Sequence, residues 1–263
     1  MSSPNNSTHP VHTLREHITA LEAAITLALA DPKKDPVHRL RTSTRRIESQ
    51  IELLSLLPDL PEHAKPAKKA GKHLKKLRRT AGTVRDLDVQ RDLLKDLSAS
   101  GKLRKEARDL RRTLKHHRSS EAAKLTLLLK QDQQKLAPML EDLLKALKPA
   151  ETLALSTAQL SRLTLDWYQH NTPVAQTSPG PDSLHAIRKS AKLARYIAES
   201  GAPTLAQAFE SIQQAGGTWH DFLTLTDIAT EHLGPKAALT QAFTHRRETA
   251  LHEYLASLQN APA

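Results

Sequence analysis

Cysteine is absent from the 263-residue chain. A disulfide framework and thiolate chemistry are therefore excluded, and a reducing, cytoplasmic setting is the expectation. Aromatic residues amount to only 3% of the chain, so the stacking platforms of a single-strand nucleic-acid binder are sparse. Neither a P-loop nor a Rossmann glycine pattern occurs, and no serine stands in a nucleophile motif. The most apolar stretch, Ile18 to Ala30, is broken by Glu22 and is too short to span a bilayer, so no membrane association is expected. The opening MSSPNNSTHPVH lacks a basic segment followed by an apolar run, which predicts no signal peptide.

Positive charge is plentiful. Lys and Arg number 39 against 28 Asp and Glu, a formal balance of +11, which points to a polyanionic partner: nucleic acid, a membrane surface or polyphosphate. Apolar residues, 38% of the chain, suffice for the core of one large domain or two modest halves. Leu, Ala, Lys, Arg, Gln and Glu dominate, and apolar positions recur with helical period. The pattern predicts helices over roughly 10–31, 37–57, 62–81, 84–99, 101–131 and 133–147, then 151–170, 183–200, 204–215, 219–233 and 236–259. The fold class is all-α, of bundle type. A seam at Lys148-Pro149-Ala150 divides a first half, 10–148, from a second, 149–263, after a disordered start over 1–9. The longest loop, QHNTPVAQTSPGPDS, carries prolines and a glycine that forbid helix.

The halves echo each other. Val37-His38, Leu40, Arg41, Ser43, Arg45 and Glu52 share their offsets with Leu184-His185, Ile187, Arg188, Ser190, Lys192 and Glu199. Gly82-Thr83-Val84-Arg85-Asp86 returns as Gly217-Thr218-Trp219-His220-Asp221, and KHHR ending at Arg118 returns as THRR ending at Arg247. Three marks in the same order predict an internal duplication, giving two similar helical bundles.

At about 100° per residue, His38, Arg41 and Arg45 form a stripe bordering the face of Val37, Leu40, Thr44, Ile47 and Ile51. His185, Arg188, Lys192 and Arg195 repeat it beside Leu184, Ile187, Ala191 and Ala198. A third stripe, Lys68, Lys72, Lys75 and Arg79, runs beside Ala67, Ala70, Leu74, Leu77 and Ala81. Each like-charged pair three or four residues apart destabilises a helix by about 0.2–0.5 kcal/mol. Ordinary solvation and carboxylates such as Glu48, Glu52 and Glu199 offset some of this. Two matched stripes beside the core, plus a third, call for phosphates as well. Asp35-Pro36 reads as N-cap and N1, and Asp182 or Ser183 caps the later helix, so both stripes begin near helix N-termini that favour anions. Arg offers forked donors to phosphate and Lys a mobile point charge.

Together, VHRLRTSTRR, VRDLDV, LHAIRKSAKLARY and GGTWHD resemble the CHAD domain, the conserved histidine α-helical domain, over roughly residues 10 to 258. The resemblance implies two similar helical bundles around a basic groove or pore that binds inorganic polyphosphate, in a protein found at polyphosphate granules. It implies phosphate contacts from His38, Arg41, Arg45 and Arg46, from Lys68, Lys72, Lys75 and Arg79, and from His185, Arg188, Lys192 and Arg195, with Arg118, Arg246 and Arg247 added. Two departures stand out. Leu205 to Ala215, the counterpart of the third stripe, has no basic residue, which predicts a lopsided groove. The triphosphate-processing CYTH domain to which some family members are fused is not expected, since no E-x-E-x-K occurs.

Asp86 and Asp88 invite a catalytic or metal interpretation. Yet Thr83-x-x-Asp86 and Thr218-x-x-Asp221 have capping-box spacing, so a cap or an ion pair with a stripe arginine accounts for them. Metal-assisted hydrolysis wants several convergent carboxylates, and the 14 histidines include no helical H-x-x-x-H pair. Trp167, Tyr168, Tyr196 and Trp219 read as core or rim residues. The expectation is a polyphosphate-binding protein without catalytic residue, metal or cofactor, for which nucleic acid is a weaker, non-specific polyanion. A nucleic-acid-binding helical protein and a phosphoanhydride-processing enzyme are the alternatives.

Overall fold

The computed structural model describes residues 7–97, 101–173 and 179–262. The expected disorder over residues 1–6, the helix end at 98–99 and residues 174–178 of the longest loop lie outside the described residues. The chain is all-α apart from one two-residue ladder, antiparallel between β1 (Ser7–Thr8) and β2 (Leu155–Ser156), which pairs Ser7 with Ser156 and Thr8 with Leu155. Residues 7–8, expected to be disordered, are thus tied to the chain just past the seam.

Both halves run as four consecutive helices: α1 (Pro10–Ala30), α2 (Lys34–Ser55), α3 (Ala64–Leu97) and α4 (Arg104–Leu147), then α5 (Thr157–Asn171), α6 (Pro181–Ala198), α7 (Pro203–Leu233) and α8 (Ala238–Gln259). The faces predicted to be apolar are the ones that bury. Val37, Leu40, Thr44 and Ile47 of α2, Leu74 and Ala81 of α3, and Ala191 of α6 are fully shielded. Trp167, Tyr168, Tyr196 and Trp219 are buried as well. Gln50, also buried, donates from Nε2 to the Pro10 carbonyl at 3.0 Å and locks α2 to the start of α1.

Two apolar cores result. One is built from α1, α2, the first part of α3 and the latter part of α4. The other gathers α5 to α8 but also takes Leu87 and Leu94 of α3 and Leu110 and Leu114 of α4. At 1.5 Å per residue, the 34-residue α3 and 44-residue α4 are about 51 and 66 Å long, enough to serve both cores. The α3–α4 hairpin is therefore shared across the seam at 148–150.

Three helix breaks expected from the sequence do not occur. α3 runs unbroken through Gly82-Thr83, α4 through residue 132, and α7 through Gly216-Gly217. Glycine costs a helix about 1 kcal/mol relative to alanine, and here packing outweighs that cost. A Cβ on Gly216 would sit 2.9 Å from the Tyr254 ring and 3.1 Å from Cγ of Arg188, and one on Gly82 would sit 3.6 Å from Nε of Arg41. The threonines do not cap either: Thr83 donates its hydroxyl to the Arg79 carbonyl and Thr218 to that of Gln214, one turn back within the helix. The observed capping box is Ser156 with Gln159, which starts α5 later than the apolar pattern predicts. α3, α4 and α8 also start two or three residues later than expected, whereas α2 and α6 start earlier: Lys33 rather than Asp35 caps α2, and Gly180 caps α6 with proline at its first position. Proline's fixed φ suits that position.

The two adjacent glycines of α7 should respond oppositely to alanine. Gly216→Ala is expected to lose about 1–3 kcal/mol through overpacking. A Cβ on Gly217 would meet nothing within 4 Å, so Gly217→Ala should gain up to about 1 kcal/mol. Thermal melts of the two variants check this, at roughly 2–4 °C per kcal/mol for a chain of this size.

Candidate anion-binding site

The α2–α6 contact decides where the matched stripes go. Because each stripe borders its helix's buried face, packing the two helices together turns the stripes toward each other. Arg41 and Arg45 of α2 come within electrostatic reach of Arg188 and Lys192 of α6. None of the four is fully exposed. The Nε atoms of Arg41, Arg45 and Arg188 are buried without a hydrogen-bond partner. Unmatched buried donors of this kind are uncommon in native structures.

The electrostatics follow from that crowding. Burial, and then Arg41, Arg45 and Arg188, push the Lys192 ammonium down to about 6. Burial, and then Arg78, lower Arg45 to about 10. Burial likewise lowers Arg188, against the pull of Asp221 and Asp86. His38 and His185 are lowered by burial first and then by neighbouring guanidinium groups, Arg85 and Arg188 respectively. His220 of α7, its ring 5.1 Å from that of His185, drops to about 4, mostly through burial and then Arg188. Asp221 moves the other way, up to about 6, through burial and the nearby Asp86 carboxylate.

Two hollows flank this cluster. One, of about 490 Å³, opens between α2, α3, α5 and α6 and is lined by Arg45, Lys75, Arg78, Arg79 and Lys189 over an apolar floor of Trp167 and Leu193. The other, of about 390 Å³, lies between α3 and α8, with Arg85 and Arg246 beside Asp92. Lys68 and Lys72 continue the exposed face of α3 beyond the first hollow, and among the described residues neither joins an ion pair.

The remaining singled-out cations are held by other groups of the protein or lie outside the α2–α6 crossing. Arg118 grips Asp88 with two nitrogens at 3.1 and 3.3 Å and donates to the Pro32 carbonyl at 2.6 Å. Arg195 is held by Glu199 at 2.7 Å and Glu210 at 3.4 Å and lies over the Tyr196 ring. Arg46 meets Glu199 at 3.5 Å, so one carboxylate joins the ends of the two stripes. Arg246 stacks over Phe222 at 5.7 Å, and Arg247 is half-buried. Sequence reasoning left out Arg78, Lys189, Arg85 and His220. The last two are the basic residues of the repeated G-T-x-basic-D motif, a signal that was available. Arg78 is partly neutralised by Glu48 at 2.6 Å.

Among the described residues no group of three His, Asp or Glu side chains lies close enough to hold a metal ion, and no helix is long and apolar enough to cross a membrane. What the site can do chemically is donate many charge-assisted hydrogen bonds to an anion.

The sequence matches the family model described as the CHAD domain over residues 12–230. The fold is similar to the crystal structure of the CHAD domain from the plant Ricinus communis, with 14% identity, a TM-score of 0.67, and coverage of 100% of this chain and 96% of that one. It is also similar to PptA from Streptomyces chartreusis, with 15% identity, a TM-score of 0.63, and coverage of 95% and 98%. No curated protein sequence matches the chain.

Lys192 lets the crowding be tested without a ligand. Its ammonium titrates near 6 in the folded chain against 10.5 ordinarily, so between those values the unfolded chain binds more protons and stability rises with pH. Lys192→Met should raise the melting temperature of the unliganded protein by several degrees. The gain should be largest at pH 6 and below and shrink toward pH 10. Melts across that range check it; a gain independent of pH would contradict it.

Proposed function

The chain belongs to the CHAD domain family, and from that premise we propose that it binds inorganic polyphosphate without catalysis, through the cations gathered where α2 crosses α6. The observation that carries this is the set of buried, unpartnered Nε donors on Arg41, Arg45 and Arg188 beside Lys192, whose ammonium burial, and then these cations, push down to about 6. A phosphate oxygen would accept from those donors and return Lys192 to its charged form. Family resemblance and the net charge of +11 support a polyanion over a neutral ligand. Binding of this kind would bring the protein to polyphosphate granules in the cytoplasm.

An exposed ion pair contributes about 0–1 kcal/mol, so one phosphate group engages the site weakly. A polymer reaching the cluster, a flanking hollow and the lysine face of α3 at once gains by linkage, commonly about 10²- to 10⁴-fold.

Labelled long-chain polyphosphate should accordingly bind at least about a hundredfold tighter than orthophosphate, and weaken with added salt. Arg41→Ala, Arg45→Ala, Arg188→Ala and Lys192→Ala combined should abolish binding while keeping a cooperative melt. Equal affinity for orthophosphate and the long polymer would overturn the proposal. Duplex DNA competing equally per phosphate would favour a nucleic-acid binder, and divalent-cation-dependent phosphate release an enzyme.

Binding should also take up protons. Lys192, facing Arg41 and Arg45 of α2, Arg188 of its own helix, and Asp86 of α3, is largely neutral at pH 8 when free and charged when bound. Affinity should rise as pH falls from 8 to 6; titrations in buffers of differing ionisation enthalpy measure the uptake.

A further inference from the structure

The opening turns of α4 carry a charge pattern that the α2–α6 crossing does not use. At 100° per residue, Arg104, Lys105, Arg108, Arg111, Arg112 and Lys115 all fall within one sector of about 120°. His116 extends the edge of that sector. The opposite side of the helix holds Ala107, Leu110 and Leu114, which are buried. Arg111, nearest the core, is half-buried, and its Nε has no hydrogen-bond partner. The other five are exposed, as is His116. Among the described residues none of the six joins an ion pair.

A charge run is ordinarily a solvated face, but α4 treats its solvated faces differently elsewhere. Further along the same helix, Lys124 pairs with Glu121 at 2.6 Å and Lys145 with Glu141 at 2.9 Å, each about one turn away. The opening turns have no such compensation. Glu106 accepts from the Leu239 N–H at 2.8 Å, and Asp109 joins no ion pair among the described residues. The six cations form six like-charged pairs three or four residues apart, each of which destabilises a helix. Arg104 and Lys105 also stand at the positive end of the helix macrodipole. External anions would relieve both penalties.

The shape and chemistry of the face narrow the choice of anion. No apolar residue lies in the sector between residues 104 and 116. It therefore lacks the apolar centre of a protein interface and the inserting side chains of a membrane-bound helix. It also has no asparagine or glutamine, the side chains that read adenine. At a helix radius of about 5–6 Å the cations fan over about 10 Å in width and run for about 17 Å in length. A single-file anion lying on that convex ridge meets only one line of them. The two phosphate rails of a groove about 12 Å wide meet both edges.

We infer that the opening turns of α4 form a docking surface for the backbone of duplex DNA, bound without regard to sequence and separate from the cations at the α2–α6 crossing. It uses different residues and a different ligand from the polyphosphate binding proposed above, and does not rest on it.

The test is the anisotropy of a labelled mixed-sequence DNA duplex titrated with the full chain at a series of salt concentrations. Six phosphate contacts predict a slope of log K against log salt of about −5, and roughly a thousandfold loss of affinity between about 50 and 200 mM. Arg104→Gln, Arg108→Gln, Arg112→Gln and Lys115→Gln combined should flatten the slope to about −2 and weaken low-salt binding at least about a hundredfold. All four positions are exposed, so this variant should melt at or above the temperature of the unaltered chain. Arg41→Ala, Arg45→Ala, Arg188→Ala and Lys192→Ala combined removes the same formal charge and should leave the duplex slope unchanged. Comparable losses in the two variants would mean attraction to net charge alone and would overturn the inference. So would an unaltered chain that binds no duplex at low salt. Either result leaves polyphosphate binding standing, because that reading is tested with the polymer; a chain that binds duplex through α4 but no polyphosphate would overturn that reading alone.

Discussion

At the crossing of α2 and α6, four cations share a volume that water reaches only in part. Arg45 on one helix and Arg188 and Lys192 on the other are each partly desolvated, and the Arg41 guanidinium further disfavours the charged form of all three. Charge left in a poorly solvated place destabilises a fold unless something answers it. Much of the surrounding structure can be understood as that answer. Glu199 takes up Arg46 and Arg195 at the margin, Glu48 takes up Arg78, and Asp86 and Asp221 stand near Arg188 and Lys192. At the centre, Nε of Arg41, Arg45 and Arg188 is left without a hydrogen-bond partner, while Arg45 reaches Glu48 only at 3.9 Å through Nη1.

The packing that creates this crowding is made rigid from outside. The α3–α4 hairpin runs through both apolar cores, and Arg118 on α4 fastens it to Asp88 on α3 and to the loop before α2. Tyr254 of α8, fully buried, donates to the Leu184 carbonyl at the start of α6 and stacks on Trp219 of α7. Trp167 of α5 reaches back to Glu52 of α2 at 2.8 Å. Donors held this way lose little freedom when an anion arrives, which is the advantage of a preorganised site.

Basic residues in this chain thus divide into two kinds that look alike in one dimension. Arg118 and Arg195 have carboxylates within hydrogen-bond distance and stabilise the fold; among the described residues Arg41 and Arg188 join no ion pair, and their buried Nε atoms have no hydrogen-bond partner. The repeated motif made His220 and Arg85 visible, but their place beside the stripes depends on how α3 and α7 lie against α2 and α6. Lys189 and Arg78 carry no motif and became evident only as walls of a hollow.

Composition and period were enough to establish helix throughout, the excess of positive charge, and the buried face and basic border of α2, α3 and α6. These are local or summed properties, set by about 3.6 residues per turn and by which side chains water rejects. Tertiary structure alone decided that α3 and α7 continue through their glycines, because a contact from Arg41 or from Arg188 and Tyr254 is worth more there than the propensity lost. It also decided which cations are neutralised and which are bare, since an ion pair between residues 30 apart, as in Arg118 with Asp88, has no sequence period. Where the carboxylates of the G-T-x-basic-D motif point belongs to the same class: the motif places them on a helix, and only the crossing of helices places them among the cations.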